Sequence, residues 1–160
     1  MLTPMSDEQQ IDWQELEETS PPKVLTFRGV DYVFPGDIDG RAWITLRRIF
    51  YVAEMQQRAA DSGSKVTHKL DVSDADALHL SQQLMGTDYV ERLGAVPSRV
   101  LVFMEHVLSI WHMESEELAL ELWAAGPNVD PKDVGAKVLQ RRKAASALAA
   151  KSSTAYPTTT

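Results

Sequence analysis

The residues best suited to chemistry lie near the middle of the chain: Glu105, His106, His112 and Glu116. Imidazole and carboxylate ligate zinc, and on a continuous helix His112 and Glu116 would stand one turn apart, facing a common ion. Such a pair supplies two ligands where a structural zinc takes four, and the His-Glu-x-x-His spacing of zinc peptidases is missing. An ordinary amphipathic helix accounts for these residues better. Asp37 and Asp39, beside Gly36 and Gly40, match part of a calcium loop, but the ladder of acids and its terminal glutamate are incomplete. Their spacing predicts turn and cap chemistry at a helix starting at Gly40. The phosphate-cradling patterns G-x-x-x-x-G-K-S/T and G-x-G-x-x-G are absent, as is the G-x-S-x-G of serine hydrolases. Without cysteine there is no thiol nucleophile and no disulfide. The expectation is a binding protein with no catalytic residues, metal or cofactor.

Four tryptophans, Trp13, Trp43, Trp111 and Trp123, invite reading as an aromatic groove. Trp43, Trp111 and Trp123 fall on apolar helix faces, where a large ring mainly fills a core, so core roles are expected for them. Trp13 is the better exposed anchor. Arg141, Arg142 and Lys143 form a basic run without interleaved aromatics. The 16 Lys and Arg against 23 Asp and Glu leave a net charge of -7, which repels phosphate backbones, so nucleic acid is not an expected partner. The run reads as a solvated helix end that meets the acidic N-terminal stretch of the same or a neighbouring subunit.

The elements that must position these residues follow from composition and period. In 160 residues, 44% hydrophobic and 24% charged, there is enough apolar surface for one folded domain. The first residues lack the basic start and apolar run of a signal peptide, and no segment is long and apolar enough to span a membrane. Residues 1–22 read as a flexible acidic arm ending at Pro21-Pro22. Residues 24–35 read as a β-hairpin turning at Arg28-Gly29. A helix follows from Gly40, with Trp43, Leu46, Ile49 and Phe50 at helical spacing. After a loop from Asp61 to Lys69, Ser73 caps a second helix that Gly86 stops. A short helix carries Tyr89 and Leu93, and Pro97 opens a longer one with Phe103 and Trp111, apolar around most of its circumference. Glu114 to Ala125 is the next helix, with Leu118 and Trp123 on one side. A last, basic helix runs from Lys132 to about Lys151 before a tail expected to be disordered.

The expected fold is therefore mainly α: a compact domain of about five helices with a small N-terminal hairpin over 23–130, flexible termini, and a basic helix and tail over 131–160. The candidate core or partner-binding residues are Trp43, Leu46, Ile49, Phe50, Tyr89, Leu93, Phe103, Trp111, Leu118 and Trp123.

Several of these pieces, in this order, resemble one known family. Phe27-Arg-Gly-Val-Asp-Tyr32 is similar to a short F-R-G-x-x-Y hairpin and is followed by the helix from Arg41 to Met55. Leu84-Met-Gly86 leads into Asp88-Tyr-Val-Glu-Arg-Leu93 and Val96-Pro97, and Trp111 to Trp123 fits W-x-x-x-x-E-E-x-A-x-x-x-W. Together these stretches, from about Lys23 to Gly126, resemble the tail assembly chaperones of long-tailed, siphovirus-type bacteriophages infecting actinobacteria.

That resemblance implies a helper absent from the mature virion. It would bind the tape-measure protein in the host cytoplasm, keep it soluble and assist tail tube assembly. The tail tube protein and a frameshifted longer form of the chain itself are further implied partners, and a homo-oligomer is expected. A structural virion protein, such as a head-tail connector or tail terminator, is the alternative. An enzyme with a dispersed site is a third reading, one that a deep polar pocket with shifted acids would favour.

Overall fold

The computed structural model describes residues 20–65 and 69–153, with the side chains of 152 and 153 left aside. The expected acidic arm, apart from its last three residues, and the expected tail beyond 153 lie outside the described residues.

The chain enters as an antiparallel hairpin, β1 (Lys23–Phe27) and β2 (Val30–Phe34), with Val24 opposite Val33 and Leu25 opposite Tyr32. Both residues of its turn take positive φ, Arg28 at 50° and Gly29 at 76°. That is the two-residue turn whose twist matches the strands it joins. Lys23, Leu25 and Phe34 point inward and are buried, while Val24, Thr26 and Val33 face outward. A lone two-stranded sheet is marginal in water, so the hairpin depends on the helices beneath it.

Six helices follow among the described residues: α1 (Gly40–Asp61), α2 (Asp74–Met85), α3 (Tyr89–Leu93), α4 (Ser98–Met113), α5 (Glu116–Ala125) and α6 (Pro131–Ser153). Four begin on side-chain caps. Asp39 accepts from the Ala42 N–H, Ser73 from that of Asp76, Ser115 from that of Leu118, and Asp130 from that of Lys132. Each cap satisfies a backbone donor that the first turn leaves free. Asp74 and Asp76 on α2, and Glu116 and Glu117 on α5, place carboxylates where the helix dipole favours them. Pro97 stands just before α4, not inside its first turn, and α5 starts at Glu116 on the Ser115 cap, two residues later than the expected Glu114.

The centre of the domain is α4, as its all-round apolar pattern predicts. Met104, Val107, Leu108 and Ile110 are buried there, and α5 packs along it, with α2 and α1 also in contact. Leu25 and Phe34 of the hairpin, Leu46 of α1, Leu84 and Met85 of α2, and Leu93 of α3 complete one continuous core. Val134 of α6 belongs to that same core, so the first turns of the basic helix pack as part of the domain. Among the described residues no helix is long and apolar enough to cross a membrane.

Candidate functional site

The residues singled out for metal chemistry separate in three dimensions. Glu105 accepts a hydrogen bond from the Ser81 hydroxyl at 2.9 Å, tying α4 to α2, and His106 faces outward. His112 and Glu116 do not share a helix, because the chain breaks at Glu114 and restarts on the Ser115 cap, which removes their one-turn relation. Among the described residues no group of three or more His, Asp or Glu is placed to hold a metal ion. Asp37 and Asp39 serve as turn and cap. Asp37 accepts the Ser20 N–H at 2.7 Å, and Asp39 caps α1 and also meets His79 Nε2 at 2.7 Å.

His112 takes part instead in a cluster at the base of the hairpin. Lys23 opens β1 with a buried side chain, and its Nζ donates to the Gly36 carbonyl while standing 5.5 Å from the centroid of the Trp111 ring. Burial pulls the Lys23 ammonium below the ordinary lysine range, with Asp37 and Glu116 acting the other way. Burial also lowers the His112 imidazole to about 4, helped by the charge on Lys23 and opposed by Asp37. His112 is therefore neutral at physiological pH, and its Nε2 is buried without a hydrogen-bond partner among the described residues. A cavity of about 450 Å³ opens beside the cluster, between Pro21, Pro22, Trp111, Glu116 and Leu120. Segment 20–22 crosses so close to Gly36 that a Cβ there would lie 2.0 Å from the Ser20 carbonyl oxygen.

The ten candidate apolar residues divide into a packed set and one outlier. Leu46 and Leu93 are fully buried, and Ile49, Phe50, Tyr89, Phe103, Trp111, Leu118 and Trp123 are half-buried against the core. Trp123 stacks on Phe103 with centroids 5.3 Å apart and donates its indole N–H to the Thr26 carbonyl at 3.0 Å, covering the outer edge of β1. Trp43, expected in the core, is instead 42% exposed. The inward side of α1 is carried by Ala42, Thr45 and Leu46, and Trp43, about 60° round the helix from Leu46 and about 100° from Ala42, stands at the edge of that side, where no neighbouring element covers it fully.

Trp43 belongs to an outer face of α1 that the sequence pattern did not separate from the core. Ile44 and Tyr51, two turns apart, are 52% and 56% exposed, and the Arg47 guanidinium lies 5.2 Å from the Trp43 ring centroid. Between Ile44 and Tyr51 stands Arg48, which with Tyr51, Val52 and Leu70 lines an open cleft of about 310 Å³. From Gly40 to Ala53 the helix has three arginines and no acid. This apolar surface is bordered by Arg47 and Arg48, while Arg41 pairs with Asp76 at 2.9 Å and Asp71 lines the same cleft.

The chain belongs to the family described as Domain of unknown function (DUF7426). The family model matches residues 14–158, which takes in the hairpin, all six helices and the last acids before Ser20. Nothing matches the chain among curated proteins, and nothing matches among solved structures.

Two further residues of this member were missed in the sequence. Arg92 of α3 donates to the carbonyls of Val33 and Met85 and lies over the Phe34 ring, joining hairpin, α2 and α3. Lys23 is the other. A single arginine or lysine among polar neighbours carries no local signal of such a role.

Proposed function

We propose that this protein is a tail assembly chaperone of a long-tailed bacteriophage, which captures an amphipathic helix of the tape-measure protein and keeps that protein soluble while the tail tube assembles. The observation that carries the reading is the outer face of α1, where Trp43, Ile44 and Tyr51 remain exposed on a helix anchored into the core by Ala42 and Leu46. An apolar helix face with an adjoining cleft accepts another amphipathic helix through anchors one and two turns apart. Large apolar side chains grouped in this way mark interaction surfaces more than scattered ones do. The stretches from Phe27 to Tyr32, Leu84 to Pro97 and Trp111 to Trp123, similar to those of such chaperones, support the choice of partner.

On this reading the protein works in the host cytoplasm as a homo-oligomer, without cofactor or reaction, and is left out of the mature virion. The tail tube protein and a frameshifted longer form of the chain are its further partners. Co-expression with the tape-measure protein of the same genome tests it. The soluble yield of the tape-measure protein rises, and mass spectrometry of purified particles finds the chain far below stoichiometric amounts. An unchanged yield, or a stoichiometric place in the particle, overturns the reading, and the second outcome favours a connector or tail terminator.

A further inference from the structure

The outer side of α1 gathers its exposed apolar residues and its free cations on one face. At about 3.6 residues per turn, Trp43, Arg47, Tyr51, Ile44 and Arg48 lie in that order around about 140° of the helix, opposite the buried Ala42, Thr45 and Leu46. Arg41 is bound to Asp76, and Glu54 and Arg58 in the following turn pair with each other at 2.6 Å. The Arg47 guanidinium rests on the Trp43 ring, and neither Arg48 nor Lys69 makes a hydrogen bond or salt bridge among the described residues. Arg48 helps to lower the Asp76 carboxyl through space without bonding it. Asp71 lines the same cleft as Arg48 and Lys69. Three cations, Arg47, Arg48 and Lys69, therefore face one carboxylate, and positive charge is left over beside Trp43, Ile44 and Tyr51.

The opposite surplus sits in the first residues of the chain. Residues 1–19 hold six of the 23 acids and none of the 16 bases, so the other 17 acids nearly balance the bases and this stretch carries most of the net charge of -7. It also brings Ile11, Trp13 and Leu16. The basic run of α6, the partner that the sequence suggests for it, is engaged inside the domain. Arg141 reaches Glu121 at 2.6 Å and Arg142 reaches Glu117 at 3.0 Å.

The acidic stretch enters the fold beside the start of α1. Ser20 donates its N–H to Asp37, and Asp39, two residues further on, caps the helix whose first turn holds Trp43. Residues 13–19 extend to about 23–25 Å at ~3.3–3.6 Å each. From Gly40 to Tyr51 the helix advances only about 16–17 Å, so Trp13 reaches the whole of the exposed face and the acids on either side of it reach Arg47, Arg48 and Lys69.

We propose that the outer face of α1 is the docking surface for the acidic residues 7–18 of the same chain, with carboxylates on Arg47, Arg48 and Lys69 and the apolar residues around Trp13 over Trp43, Ile44 and Tyr51. A tether this short keeps the segment at an effective concentration of about millimolar or above, which favours contact within the chain over contact between chains. The docking is measured without a tape-measure protein. Only its use rests on the chaperone reading, in which the captured helix displaces residues 7–18 from this face.

The chain has no cysteine, so Gln14→Cys places a single nitroxide in the full-length protein. In dilute salt the amide signals of residues 43–51 and the Trp43 indole signal lose roughly half or more of their intensity, and near 1 M salt, where the screening length shrinks to about 3 Å, they recover. Arg47→Glu with Arg48→Glu gives the same recovery in dilute salt, and adding Asp12→Lys with Glu15→Lys brings the loss back. On the unmodified chain, a zero-length carbodiimide crosslink joins Lys69 to an acid of residues 7–18 within the monomer fraction. Signals of α1 that the nitroxide leaves untouched in dilute salt overturn the proposal, as does a loss indifferent to both salt and charge reversal. So does a loss or a crosslink that arises only between chains, read by mixing spin-labelled protein with isotope-enriched, cysteine-free protein. These signals decide the docking alone, whereas the chaperone reading stands or falls on the soluble yield of the tape-measure protein.

Discussion

Replacing Ile44 and Tyr51 together by serine separates the outer face of α1 from its core. Both side chains are more than half exposed, at 52% and 56%. Full burial of a large apolar side chain is worth about 1.5–3 kcal/mol, so each of these retains about 1 kcal/mol to gain when a partner covers it. The pair then contributes about 2 kcal/mol to capture of a helix, a change of roughly 30-fold in Kd. The portion already buried costs the fold a similar amount, a small part of a typical stability of about 5–15 kcal/mol. Leu46→Ala inverts the pattern. That side chain is 1% exposed, so its loss removes about 2–5 kcal/mol from folding and no partner contact. The assay pairs a denaturant midpoint with titration of a fluorescent amphipathic segment of the tape-measure protein, followed by its soluble yield on co-expression. If the folded double-serine variant captures that segment as tightly as the parent, the assignment of this face to partner binding is refuted.

Four other expectations are testable by equilibrium unfolding. Gly36→Ala places a Cβ 2.0 Å from the Ser20 carbonyl oxygen and 2.6 Å from that of Pro21, which are backbone atoms. Displacing that crossing lowers stability by about 1–3 kcal/mol, and an unchanged midpoint counts against it. Arg92→Lys keeps the charge but lacks the planar fork that spans Val33 and Met85, and costs about 1–3 kcal/mol. A midpoint equal to the parent's excludes that bracing role. Lowering pH from 6.5 toward about 4 destabilises the fold through His112, because the unfolded imidazole takes up a proton that the folded one refuses. The contribution is complete above 6.5 and lost through that window, whereas the lowered carboxyls of Asp37, Asp39 and Asp76 act only below their usual 3.8. His112→Phe reduces the slope between 4 and 6.5, leaving the part due to His106, whose imidazole is also lowered by burial, and a slope that persists unchanged assigns it to other groups. Trp123→Phe keeps the stack on Phe103 but loses the N–H to Thr26, costing about 0.5–1.5 kcal/mol and loosening the edge of β1. Equal amide-exchange protection of the hairpin in variant and parent argues against that contact.

The reach of each interaction along the chain decides what the residues reveal unaided. The hairpin turn at Arg28 and Gly29, the caps at Asp39 and Ser73, the stop at Gly86, and the all-round apolar α4 were legible in the sequence. Each depends on groups within about four residues of one another, where backbone sterics and dipoles act without help from the rest of the fold. Leu46 and Leu93, read in the sequence as core or partner-binding candidates, are each 1% exposed.

Only the tertiary structure decided which faces found cover. The helical period puts Trp43 and Leu46 on one amphipathic segment, but the packing of α1 on α2 and α4 buries Leu46 and leaves Trp43 outside. Lys23 became an inward residue because Trp111 and the Gly36 carbonyl, distant in sequence, meet it there. Arg141 and Arg142 found Glu121 and Glu117 because α6 turns back along α5, and α6 projects because α5 is shorter. These outcomes depend on contacts across tens of residues, and one sequence specifies such contacts through the energy of the whole fold instead of through any local run.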